Sequence, residues 1–240
     1  MVKVNQLTFN YGRKTILENI SLEISKGQIV GVIGENGSGK STLLKLIAGI
    51  LTPTSGKVTL NGEKVNRRMV SKIAYQPDID LFYEEMTGDQ VFNYFASQFE
   101  DFEIEKAQQV AAFLQVPTNI RLMKLSKGNR ARVKLSACLA RNTEVYVFDE
   151  PFAGLDPLAR ESLLKAIIRF IDTENCSVIL STHEVNEVEP ILDQVILLKD
   201  GHIRAMDNLE QIRDERGENA VQWMKNLYGE KVEKVDKTNR

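Results

Sequence analysis

Cysteine, histidine and tryptophan are scarce in this chain of 240 residues, which has two, two and one of them respectively. Cys138 and Cys176 lie 38 residues apart, with no Cys-x-x-Cys or Cys/His spacing around either. That excludes a disulfide framework and a zinc knuckle, and leaves both as small packing residues. Long apolar runs are missing too: nothing approaches the roughly 18 residues that span a bilayer. The longest candidates, Ile29 to Gly34 and Val195 to Leu198, have the length of buried strands. An excess of one charge is also lacking, since 31 Lys and Arg face 33 Asp and Glu for a net charge of -2. A general basic field for nucleic acid is thereby excluded. The opening MVKVNQLTF alternates like a strand and has no basic-then-apolar leader pattern. The expectation is a cytoplasmic chain that would need a partner for any work at a membrane.

What is present is ordinary globular material, 42% apolar and 27% charged. The first third reads as β-rich. Val2, Val4, Leu7 and Phe9 are apolar with a break in phase at Asn5-Gln6. Ile20, Leu22 and Ile24 alternate with Ser21, Glu23 and Ser25, which predicts a half-buried strand. Ile29 to Ile33 is continuously apolar or small, the pattern of a strand covered on both faces. Val58, Leu60 and the Asn61-Gly62 pair predict a strand entering a tight hairpin. Helices are expected over 89–98, 104–114 and 130–141, from Pro157 to about Ile171, and over 184–192. Strands are expected over 145–148, 178–180 and 194–198. Strands separated by helices imply parallel pairing.

The strongest local signal is GENGSGKST, Gly34 to Thr42. It fits G-x-x-x-x-G-K-[ST] through Gly34, Gly39, Lys40 and Ser41, between a buried strand and a helix. Amide groups of Glu35, Asn36 and Ser38 can converge on a polyanion because Gly34, Gly37 and Gly39 allow close approach. Lys40 can reach β- and γ-phosphates, and Ser41 can ligate Mg²⁺. Downstream, Val145 to Phe148 is an apolar strand ending in Asp149 and Glu150. Asp149 suits a Mg²⁺ ligand. Glu150 points the other way along the strand and suits a general base. The fold class expected is α/β: a P-loop NTPase (RecA-like) core, an N-terminal antiparallel β subdomain, and a helical subdomain inserted at about 78–140.

With GENGSGKST, LSKGN at 125–129, VYVFDEPFAGLDP at 145–157 and STHE at 181–184, the chain resembles the ATP-binding subunits of ABC transporters over almost its whole length. The resemblance implies ATP and Mg²⁺ as cofactors and ATP hydrolysis as the reaction. It implies two subunits sandwiching two ATP head to tail, Ser126 and Gly128 of one contacting the γ-phosphate held by the other. It gives His183 to the γ-phosphate and attacking water, Asp156 to coupling between the two sites, and Tyr11 to stacking on adenine. Ser126 also looks like a helix N-cap, whose first amides suit an anion, and Asp156 suits the cap of the helix starting at Pro157. Lys127 and Asn129 depart from the usual Leu-Ser-Gly-Gly-Gln, and Lys127 is expected to project into solvent. Relatives carry a metal-contacting glutamine just after a proline. Aligning on Pro77 puts Asp78 there, with Gln76 two residues early as the alternative.

The implied partners are a second nucleotide-binding subunit and an integral membrane permease, with no nucleic acid. The implied location is the inner face of the cell membrane, peripheral through the permease. Leu81, Phe82, Tyr83 and Met86 are candidates for the permease contact. The short insertion, the Ser-Lys-Gly-Asn signature and the Pro-Asp loop look like bacterial export-type ATPases, with importers as the alternative. A soluble ABC ATPase of translation or DNA maintenance is the other class. It is disfavoured because the chain has one set of motifs and no heptad run. The nucleotide-binding domain is expected over 1–205 and a helical tail over 206–240, with Leu209, Ile212 and Trp223 docking and the end after Gly229 frayed.

Overall fold

The computed structural model describes residues 1–69, 71–79 and 82–227. Two sheets share the chain. Strands β1 (Val2–Tyr11), β2 (Lys14–Ile24), β4 (Ser55–Leu60) and β5 (Glu63–Lys64) form an antiparallel sheet in the order β2-β1-β4-β5. The phase break at Asn5-Gln6 is a bulge: the β1–β2 register shifts between Val4 and Leu7, and Gln6 has φ 44°. The β4–β5 hairpin turns through Asn61 and Gly62, both at positive φ, as a type I′ turn requires.

The second sheet contains β3 (Ile29–Ile33), β6 (Ile73–Gln76), β7 (Val145–Phe148), β8 (Ser177–Thr182), β9 (Gln194–Lys199) and β10 (His202–Asn208), in the order β10-β9-β3-β8-β7-β6. All its pairings are parallel except β9 with β10. Both faces are covered, which explains the unbroken apolar runs. Val30, Val32, Val145, Val147 and Ile179 face one core with α1 (Lys40–Ile47) and the antiparallel sheet. Ile33, Tyr146, Phe148, Val178 and Leu180 face the other, with α2 (Gly88–Gln98), α3 (Ile104–Phe113), α4 (Lys127–Leu139) and α5 (Pro157–Phe170). Helices α2 to α4 lie between β6 and β7 in the chain, within the expected insertion.

Helix α4 starts at Lys127 behind the Ser126 hydroxyl, the expected N-cap, three residues before the apolar stretch that begins at Arg130. Its polar first turn carries no apolar periodicity. One expected element differs. The helix expected over 184–192 is two 3₁₀ turns, Val185–Glu187 and Glu189–Ile191. Pro190 lacks an amide donor and disfavours helical geometry at Glu189, so the turns cannot merge.

The expected division after residue 205 falls inside β10. Beyond it, α6 (Leu209–Arg216) and α7 (220–227) dock on the helical side of the large sheet. Trp223 is fully buried and donates its indole N–H to Asp207 Oδ2 at 2.7 Å. Among the described residues no helix is long and apolar enough to cross a membrane. Both cysteines are free; Cys138 is buried, and burial pushes its thiol up to about 12. Leu81 and the end after Gly229 lie outside the described residues.

Candidate functional site

The site lies beyond the C-terminal ends of β3, β7 and β8, adjacent strands of the parallel sheet. The chain leaves β3 through Gly34, where a Cβ would come within 2.2 Å of the Leu198 carbonyl oxygen, so only glycine fits. Gly39 caps α1 in the left-handed region with no side-chain cap, leaving the first amides of the helix for an anion. Glu35, Asn36 and Gly37 are exposed along the loop and Thr42 is half-buried. Ser38 is buried, and its hydroxyl has no partner among the described residues.

Lys40 is 5% exposed, and its ammonium is held inside the loop. It donates to the carbonyls of Gly34 at 2.9 Å and Glu35 at 3.3 Å, and pairs with Glu150 Oε1 at 3.2 Å. Asp149 is fully buried beside it. Its Oδ1 accepts from the hydroxyls of Ser41 at 2.9 Å and Ser181 at 2.8 Å, and its Oδ2 from Tyr75 at 3.1 Å. The Tyr75 hydroxyl is pushed well above its usual range, first by burial and then by the Asp149 charge, so it remains a donor.

Glu150 turns away from Asp149. Its φ of 46° breaks the strand at that residue, and its amide donates to Ser181 Oγ at 2.9 Å. A non-glycine residue in that region is strained, and such strain gathers at functional sites. The carboxylate reaches His183, whose Nδ1 lies 2.9 Å from Glu150 Oε2.

Glu150, His183, Asn36, Gln76 and Asp78 line one cleft of about 380 Å³, opposite Lys127, Arg130 and Lys134 of α4. Gln76 is 5% exposed, and its buried Oε1 has no partner among the described residues. Asp78 is exposed, and its carbonyl accepts from Lys134 at 3.3 Å. Ser41, Asp149 and one of Gln76 or Asp78 form an all-oxygen set beside the phosphate loop. Mg²⁺ takes such sets, with phosphate and water completing its shell. The orphaned Gln76 oxygen and the paired Ser41 and Asp149 fit that ion.

The other expected residues stand apart. Ser126 accepts from the Asn129 amide at 3.3 Å as the cap of α4. Gly128 faces Ala159 of α5. Asp156 caps α5, accepting from the Ala159 amide at 2.9 Å. Tyr11 is 52% exposed at the end of β1, edge-on to Phe9. None of these four lines the cleft around Glu150. Lys127 is exposed, as expected, and its ammonium lies over Gly154, where a Cβ would come within 2.4 Å of it. A glycine there leaves the room it occupies.

Sequence reasoning passed over Tyr75 and Ser181. Tyr75 pairs with Val147, two residues before Asp149 on the same face, and Leu180 pairs with Phe148, which brings Ser181 beside Asp149. Only the order of the strands could have pointed to them.

The profile of the ABC transporter family matches residues 17–153. An uncharacterized ABC transporter ATP-binding protein of Methanocaldococcus jannaschii is 33% identical over 216 residues, 88% of this chain and 79% of that protein. A solved ATP-binding subunit of an ABC transporter superposes with a TM-score of 0.82 at 27% identity, covering 95% of this chain and 99% of the other. A dimeric bacterial ABC transporter cassette shares the fold, with a TM-score of 0.78 at 24% identity over 87% of this chain and 99% of its own.

Proposed function

This chain belongs to the ABC transporter family as an ATP-binding subunit, an ABC ATPase, and on that premise we propose that it works as a head-to-tail dimer energising a separate membrane permease. The observation that carries the mechanism is the place of Glu150, which lines the cleft with His183 and joins His183 at 2.9 Å on one carboxylate oxygen to the buried Lys40 at 3.2 Å on the other. Lys40 and the loop amides hold the β- and γ-phosphates, and the phosphate charge displaces Glu150 from Lys40. Released, Glu150 accepts a proton from the attacking water, and His183 orients that water from the other carboxylate oxygen. Ser41, Asp149 and Gln76 or Asp78 would hold Mg²⁺, which when bound would supply positive charge beside the transferred phosphoryl group. Tyr11 stacks on adenine. Ser126 and Gly128 act on the other subunit's nucleotide and Asp156 couples the two sites, which accounts for their place outside the cleft.

An apolar groove of about 270 Å³ supports the permease assignment. It follows β6, the edge of the large sheet, and is lined by Ile50, Ile79, Phe82, Phe95 and Phe99. Ile79 is 57% exposed and nearby Tyr83 is 79% exposed, more apolar surface than a free face favours. A cytoplasmic helix of the permease fills this groove and holds the chain at the inner face of the membrane. The Ser-Lys-Gly-Asn signature and the Pro-Asp loop favour an export-type system. Residues 1–208 form the nucleotide-binding body, and α6 and α7 are an appended tail.

Glu150→Gln tests the assignment. The variant is expected to bind ATP, to hydrolyse it about 10²- to 10³-fold more slowly, and to run as a dimer with ATP on size exclusion. Turnover at the wild-type rate would remove Glu150 from the chemistry. Co-purification from membranes tests the partner, and recovery only with ribosomes or DNA would overturn transport.

A further inference from the structure

Four residues past Asp156, Arg160 gathers acceptors from two segments that flank the hydrolytic site. Its guanidinium donates to the Leu155 carbonyl at 3.2 Å, pairs with Glu187, and lies 3.6 Å from Glu184. Leu155 directly precedes Asp156 and lines the catalytic cleft. Glu184 directly follows His183, and its Oε1 lies 3.7 Å from His183 Nε2. His183 Nδ1 in turn contacts Glu150 at 2.9 Å. A continuous run of polar contacts therefore joins Glu150 to the peptide beside Asp156, by way of His183, Glu184 and Arg160.

The chemistry suits a fixed joint. The Arg160 and Glu187 side chains are 19% and 18% exposed, so the pair is partly withdrawn from water and weakly screened. A planar guanidinium can serve three acceptors in set directions, which a lysine ammonium on the same helix cannot. The 184–192 segment is two 3₁₀ turns anchored in the core by Val185 and Val188, and the Arg160 contacts hold its outer, polar side.

We propose, resting on the assignment of Glu150 and His183 to hydrolysis, that Arg160 is a positioning residue that locks the His183 segment to the Asp156 segment. A displacement of Asp156 by the second subunit then moves His183, and the water it holds, within the same chain. The groups facing Glu187 are Arg160 from α5 and Glu184 and His183 from its own segment; Arg213 of α6 faces Glu189 instead. Burial, then the hydrogen bond shared with Glu184, push the Glu187 carboxyl up to about 7. The joint is therefore tightest above that pH, where Glu187 is ionised.

Steady-state ATP hydrolysis of Arg160→Gln, Arg160→Lys and Glu187→Gln, measured from pH 6 to 9 beside Glu150→Gln and with a thermal melt of each, tests this. Arg160→Gln is expected to lose about tenfold in kcat with KM within about twofold, and Arg160→Lys to recover only part of the loss. The wild type is expected to show an acid limb near pH 7 that Glu187→Gln lacks. If Arg160→Gln fails to fold, the Glu187→Gln profile decides alone. Wild-type kcat and wild-type pH profiles in the folded variants, with Glu150→Gln inactive, would overturn the role of Arg160 and leave the hydrolytic assignment standing. An active Glu150→Gln would instead bring down that assignment.

Discussion

Gln76 and Asp78 sit on the same cleft but offer different oxygens. The Gln76 amide oxygen is buried with no partner among the described residues, and an unmet buried acceptor costs about 1–3 kcal/mol. A cation or its bound water would remove that cost. The Asp78 carboxylate is exposed and already solvated. Gln76→Ala is therefore expected to raise the Mg²⁺ concentration for half-maximal hydrolysis by about tenfold, and Asp78→Ala by no more than about threefold. A Mg²⁺ titration of both variants checks this, and the reverse order would give the ligand role to Asp78. At this scale the phosphate loop, Asp149 and Glu150 were legible because each is a run of neighbouring residues at the end of an apolar strand. Tyr75 and Ser181 were not, since they reach Asp149 only across strand neighbours.

Among the elements, the docked tail is the most open to measurement. Trp223 of α7 is the only tryptophan in the chain, and it buries its whole side chain in the core that Leu209 and Ile212 of α6 also enter. Truncating a buried aromatic removes its transfer energy and leaves a cavity, so Trp223→Ala is expected to cost about 3–5 kcal/mol. Urea unfolding followed by circular dichroism would show the loss. A cost near zero would mean that α7 does not hold its place on the body in solution. Element types were largely legible from periodicity. Periodicity alone places the start of α4 at Arg130, because its first turn is polar, and it is the Ser126 cap that marks Lys127. The 184–192 segment departs because Pro190 stands within an otherwise helical pattern.

For the molecule as a whole, net charge is close to zero and pH acts through individual sites. Glu187 has a folded-state value of about 7, above the ordinary carboxylate range. The fold thus favours its protonated form. That contribution is complete below about pH 4.5 and is lost as pH rises through 7. Glu187→Gln, neutral throughout, is expected to gain stability over the wild type between about pH 4.5 and 7, with a constant margin above. Denaturation midpoints at pH 5, 6, 7 and 8 check this, and a margin that shrinks as pH rises would contradict it. Glu187 therefore acts in two opposed ways: its joint with Arg160 is strongest where its partly buried charge costs most.

Strand, turn and phosphate-loop chemistry are properties of short stretches, carried by periodicity of two, by glycine's freedom and by the needs of a polyanion. They could be read from order along the chain, together with the family that shares them. The sharing of Asp149 among Ser41, Tyr75 and Ser181, the place of the Lys127 ammonium over Gly154, and the tie of Arg160 to Glu187 could not. Each joins residues about 25 to 110 positions apart, and such contacts depend on which strands and helices end up side by side. That order comes from burying two faces of one sheet at once, a packing problem the whole chain solves together.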